Sequence, residues 1–254
     1  MILVRALLCA VAFLTRIPVP TGVFAPRVLG LSVAFFPAVG LLLGAMSALA
    51  AWLLRVPLGL PPHLGWALLL VALHAHLTGA LHLDGLADVA DGLGGGRGDR
   101  VRALEIMKDP RVGAFGVVAV VFLVLAKVVM MDEVLRMAEP RALLLAYPLV
   151  ARFAVVLLVV FYPCARPDGM ARTFHDQSGW AATVGAAVVT ASAVWLLGAR
   201  VWAPAAVSVG VGLAAGTWIA VKLQGLTGDA YGAAVELAEL GFLAAAAYPR
   251  LRGG

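Results

Sequence analysis

The sequence predicts an all-α fold: a polytopic integral membrane helical bundle of about seven transmembrane helices, preceded by a short N-terminal interfacial or re-entrant helix. Two observations lead there. Hydrophobic residues make up 63% of the 254, whereas soluble domains run at roughly 45–50%. The excess also falls in recurring runs of spanning length, since a bilayer core about 30 Å thick needs roughly 20 helical residues at about 1.5 Å each. The runs follow one another closely, so residues 1–254 are expected to form a single membrane-embedded domain.

Residues 2–14 are apolar but short for a span, so they lie at the interface or enter it part-way. Arg5 interrupts them and no small-residue cleavage site follows, so they are read as retained rather than as a signal peptide. Seven spans are then predicted at Val28–Leu54, Leu64–Leu83, Val112–Met131, Ala142–Tyr162, Trp180–Ala199, Val201–Leu223 and Ala230–Tyr248. Pro57, Pro61 and Pro62 mark the first turn between spans, and Asp132, Glu133, Arg136, Glu139 and Arg141 are expected in a mixed-charge loop.

Charge has a side. With seven spans, one face receives Arg5, Arg16, Arg27, Arg97, Arg100, Arg102, Lys108, Arg111, Arg166, Arg172 and Lys222. The other receives Arg55, Arg136, Arg141, Arg200, Arg250 and Arg252. The excess of Lys and Arg on cytoplasmic loops makes the first face cytoplasmic. Orientation accounts for the net charge of +5, so no nucleic-acid partner is invoked. Two cysteines, Cys9 and Cys164, allow neither a disulfide framework nor a Cys-based zinc site.

The chemistry-bearing residues crowd that first face. Asp84, Asp88 and Asp91 are spaced i, i+4 and i+7, which places three carboxylates on one helical face. Like charges so close call for a counter-ion, and oxygen-only ligands suit Mg²⁺ or Mn²⁺, with Mg²⁺ typically shared between carboxylates and substrate phosphate. The glycine-rich run from Gly92 to Gly98 reads equally as a phosphate cradle or a flexible linker. Lys108, Arg111 and Arg166 are candidate phosphate contacts. His82, two residues before Asp84, is a candidate hydrogen-bonder or proton acceptor. Asp229 opens the last span, and Glu236 and Glu239 follow within it. Glutamates facing lipid would cost roughly 2.5–3.5 kcal/mol each, so they must face inward to an ion or a basic partner, for which Lys127 and Arg152 are candidates. The same carboxylates leave an ion-coupled membrane transporter as the alternative reading.

Four blocks, LTGALHLDGLADVADGLGGG, LEIMKDPRVGAFG, YPCARPDGM and GLTGDAYGAAVELAE, occur in an order that resembles the cobalamin synthase family, the adenosylcobinamide-GDP ribazoletransferases. With the apolar segments between them they cover most of the chain. The resemblance implies a multi-pass, Mg²⁺-using transferase of the cell (inner) membrane whose active site faces the cytoplasm. Its substrates would be adenosylcobinamide-GDP and α-ribazole or its 5′-phosphate. It would release GMP, as a homo-oligomer or in complex with other corrinoid-pathway enzymes. On this reading Asp84, Asp88, His82 and Asp229 are catalytic, Asp84, Asp88, Asp91 and Glu236 hold the metal, and Lys108, Arg111 and Arg166 hold substrate phosphate.

Overall fold

A computed structural model describes residues 1–20 and 22–253. Among these residues no β-strand forms, and the chain folds as a polytopic helical membrane bundle. The N-terminal helix α1 is Ile2–Leu14. The first span is α2 (Pro26–Ser32), a short 3-10 turn and α3 (Phe36–Arg55). Then come α4 (Leu64–Leu77), α5 (Leu81–Gly96) and α6 (Arg100–Ile106). The remaining spans are α7 (Ala114–Leu135), α8 (Arg141–Phe161), α10 (Trp180–Leu197), α11 (Trp202–Leu223) and α12 (Gly228–Gly253). A surface helix, α9 (Met170–Gln177), precedes α10.

Among the described residues six helices, counting the α2–α3 segment as one, are long and apolar enough to cross a membrane. The seventh crossing differs from the expected single span Leu64–Leu83, because α4 stops at Leu77 and α5 leaves it at 88°. The backbone makes the corner with two left-handed residues, Gly79 at φ +62° and Ala80 at φ +57°. The Arg16 N–H meets the freed Leu77 carbonyl at 2.8 Å, so the α4 terminus is satisfied from outside its own helix. A second difference lies at the end of α7, which runs on to Leu135 and takes in Asp132 and Glu133, both expected in a loop. Arg136 closes on Asp132 at 2.9 Å, one helical turn away.

Alternate connections share a face, as the charge pattern requires. At one end Arg55 donates to the Met137 carbonyl and Arg250 pairs with Glu133 at 3.0 Å. At the other end Arg100 donates to the carbonyls of Leu223 (2.6 Å) and Ala165 (3.0 Å). Helix α8 is the axis of the bundle and is buried along most of its length. Helix α3 lies close against it because Gly40 and Gly44, one turn apart, face the α8 backbone; a Cβ at either would come within 2.4–2.5 Å of the Pro148 or Leu145 carbonyl oxygen. Small residues at this spacing permit close approach where lipid supplies no hydrophobic drive.

The centre of the bundle is polar. Glu236 and Glu239 on α12 face inward, and the basic partners are the two anticipated. Lys127 of α7 donates to Glu236 at 2.5 Å and to Glu239 at 2.6 Å, and Arg152 of α8 pairs with Glu239. His74 of α4 reaches Glu239 at 3.1 Å, with the Tyr147 hydroxyl 3.1 Å from its other ring nitrogen. Two cations face two carboxylates, so the cluster closes without an ion. Glu236, expected as a metal ligand, is instead one half of a buried ion pair.

Removing one partner from such a cluster strands the others in a dry environment and costs about 3–5 kcal/mol. Glu239→Gln is therefore expected to lower the unfolding midpoint of the detergent-solubilised protein sharply, as measured by thermal melt. An unchanged midpoint would show that the network does not hold the bundle together.

Candidate active site

The corner after α4 lays α5 across the end of the bundle that carries most of the basic residues. Asp84, Asp88 and Asp91 share one face of α5, as their spacing predicts, but at graded depth: exposed, half-buried and buried in turn. Asp91, expected as a metal ligand, is committed elsewhere. Its two oxygens accept from the N–H groups of Gly113 (2.7 Å) and Gly116 (2.8 Å) in the first turn of α7. A carboxylate there satisfies orphan donors and suits the helix dipole. Any side chain at Gly113 or Gly116 would collide with it, the Cβ falling 2.4 Å from an Asp91 oxygen.

The glycine-rich run is also not a loop. Gly92 to Gly96 form the last turn of α5, and their bare faces admit the side chains of Met107, Phe115, Ile106 and Ala103. Their role is packing, not a phosphate cradle. Lys108 is exposed on the segment between α6 and α7. Arg111 is exposed beside it and forks onto Asp109 at 2.9 and 2.6 Å. That pairing holds the Asp109 carboxyl down at about 2. Neither Lys108 nor Arg111 lines the cavity described next, contrary to the expectation of a shared phosphate site.

Asp84, His82, Arg166 and Asp229 do come together, around a cavity of about 280 Å³. Asp88 stands just behind, within electrostatic reach of Asp84, Asp229 and Arg166. Two contacts build the arrangement. Helix α5 meets the start of α12 backbone to backbone, because a Cβ at Gly85 would fall 2.6 Å from the Asp229 carbonyl oxygen. This contact sets the α5 carboxylates beside Asp229. The second contact joins the segment after α8 to the segment before α12. The Ala165 N–H donates to the Leu226 carbonyl and the Leu226 N–H to the Pro163 carbonyl, both at 2.8 Å, and Arg100 braces the pair from α6. Arg166 is carried in on this clasp.

Arg166 is poorly satisfied there. Its Nη1 lies 3.4 Å from Asp229 Oδ2, while its Nε and Nη2 are buried without any hydrogen-bond partner among the described residues. Buried guanidinium donors left open are costly and match the paired oxygens of a phosphate. Thr227 caps α12 through the Ala230 N–H at 3.2 Å and touches Asp229 at 3.3 Å. Among the described residues, neither Asp84 nor Asp88 has a hydrogen-bond or salt-bridge partner.

The far wall went unread in the sequence. Phe13 of α1, Phe36 of α3 and Phe174 of α9 pack edge-to-face or stacked, with centroids 4.8–6.1 Å apart. They give the cavity an apolar side opposite its charged one. Arg100, read only as a basic loop residue, is the brace. Arg152, read only as an ion-pair partner, also reaches the cavity floor. Nothing local distinguishes these residues, since each acts on segments far away in the chain.

No solved structure matches the chain. The adenosylcobinamide-GDP ribazoletransferase of Stutzerimonas stutzeri is 42% identical over 238 residues, covering 93% of this chain and 95% of the relative. Those of Geotalea daltonii and Syntrophobacter fumaroxidans are 43% and 42% identical, each covering 94% of this chain and 95% and 96% of the relative. A family model described as cobalamin-5-phosphate synthase matches residues 6–247, and with relatives this similar along nearly their whole length the chain belongs to that family.

Proposed function

We propose that this protein joins adenosylcobinamide-GDP to α-ribazole or its 5′-phosphate, releasing GMP, at the cytoplasmic face of the inner membrane. The observation that carries the reading is Arg166, a half-buried cation with two buried donors left open among the described residues. It faces a cavity rimmed by the carboxylates of Asp84 and Asp229. A phosphate diester fills those donors, and the aromatic wall suits the apolar part of either substrate. The positive-inside pattern supports the cytoplasmic placement.

The transfer is a displacement at phosphorus. A ribose hydroxyl of the ribazole forms a bond to the phosphorus next to cobinamide. The bond from that phosphorus to the bridging oxygen breaks, and its electron pair departs with GMP. Arg166 holds non-bridging oxygens as charge builds on them. Asp229 on the rim, or Asp88 just behind it, takes the hydroxyl proton. The donor set also fits Mg²⁺. Asp84 and Asp88 would hold it through oxygen alone, with substrate phosphate completing its shell. When bound, Mg²⁺ supplies charge neutralisation at the pyrophosphate. Transport by ion coupling has less support, because Glu236 and Glu239 are both spent on buried cations.

Three measurements of GMP release by the purified protein test the proposal. Asp84→Asn and Asp88→Asn are each expected to lose about 100-fold or more in kcat while the protein stays folded, and full turnover in both would remove the carboxylates from the chemistry. Arg166→Met is expected to cost about 10²–10³-fold, with Arg166→Lys recovering part of the loss. EDTA is expected to abolish release and added Mg²⁺ to restore it; activity indifferent to both would exclude the metal.

A further inference from the structure

Arg152 links the buried ion cluster to the cavity, and its hydrogen bonds decide how His82 presents itself. The deduction needs only donor and acceptor counting. Glu239 accepts from His74 Nε2 at 3.1 Å, so His74 Nε2 carries a hydrogen. Arg152 Nη2 lies 3.3 Å from that same nitrogen, but a guanidinium only donates, so no bond forms between them. Its remaining neighbour is His82 Nδ1 at 3.4 Å. His82 Nδ1 is therefore the acceptor, and the one hydrogen of a neutral imidazole sits on Nε2. His82 is buried, at 4% exposure, yet lines the cavity. Its Nε2 is absent from the buried atoms left without a partner, although no protein group accepts from it among the described residues. Cavity space is what remains for it.

We infer that His82 is a neutral hydrogen-bond donor to an oxygen of the bound substrate, through Nε2–H, and that Arg152 is the positioning residue that sets its tautomer. Of the two roles the sequence offers His82, hydrogen-bonder or proton acceptor, this selects the first. It rests on the transferase reading for the identity of the oxygen. The tautomer itself follows from Glu239, His74 and Arg152 alone. A donor in this place stabilises charge on phosphate oxygen without adding a cation beside Arg166. It also leaves proton removal to the rim carboxylates.

The test compares His82→Gln, His82→Asn and His82→Phe for GMP release, beside selective ¹⁵N NMR of histidine in the substrate-free wild type. A Gln amide can place an N–H near the Nε2 position, whereas an Asn amide stands nearer Nδ1. His82→Gln is expected to lose least, with His82→Asn and His82→Phe about 10- to 100-fold below it, the worth of a hydrogen bond to a charged group. The His82 signals, assigned by their loss in His82→Gln, are expected to show a protonated Nε2 and a bare Nδ1. Arg152→Lys, which still donates, keeps that signature, whereas Arg152→Met mixes the two tautomers. Equal inactivity of all three folded His82 variants, equal full activity, or a protonated Nδ1 in the wild type would each overturn the inference. If Arg152→Met does not fold, a switched signature in Arg152→Lys does so as well. Wild-type protein that releases no GMP would instead sink the transferase reading and leave the NMR result standing.

Discussion

Everything in this bundle is arranged around one carboxylate. Glu239 accepts from Lys127, Arg152 and His74, which belong to three other helices, so a single buried charge ties α12 to α7, α8 and α4. In a membrane the apolar surfaces of helices gain little from meeting one another, because lipid is equally apolar. A buried charge cluster supplies what hydrophobicity cannot: a unique register among four helices. The same cluster reaches the cavity through Arg152, so the group that holds the bundle together also shapes the floor of the site. The ion cluster and the wall of the candidate site are joined there by direct contact.

The candidate active site depends on a second constraint, backbone proximity. Helix α5 can carry its acids to Asp229 only because residue 85 has no side chain, and Arg166 arrives only because the segments at 163–165 and 224–226 bond to each other. Both contacts are made by main-chain atoms. The charges around the cavity are thus positioned by a glycine and by backbone hydrogen bonds.

Much of this was legible in the sequence. Spans of α8, α10, α11 and α12 follow from apolar length, and the inward pairing of Glu236 and Glu239 with Lys127 and Arg152 follows from the cost of leaving them in lipid. Asp84, Arg166, Asp229 and His82 were singled out and do share a cavity. The failures have a common cause. Asp91 has the right spacing for a metal ligand, but its role is set by two N–H groups more than twenty residues away. Lys108 and Arg111 have the right chemistry, but a local Asp109 captures the arginine and a short helix carries both off the cavity. Gly92 to Gly96 look like a loop by composition, and only the arrival of Met107 and Ala103 makes them helical packing surface. Periodicity reports which face a residue occupies. It does not report what the rest of the chain brings to that face.

The shortness of α4 has a consequence for depth. Fourteen residues rise about 21 Å, some 9 Å less than a hydrocarbon core of about 30 Å. Because α5 turns off at 88° where α4 ends, the pair makes its corner before a full hydrocarbon thickness has been crossed. Asp84 therefore reaches the cavity on a helix that lies across α4 rather than continuing it.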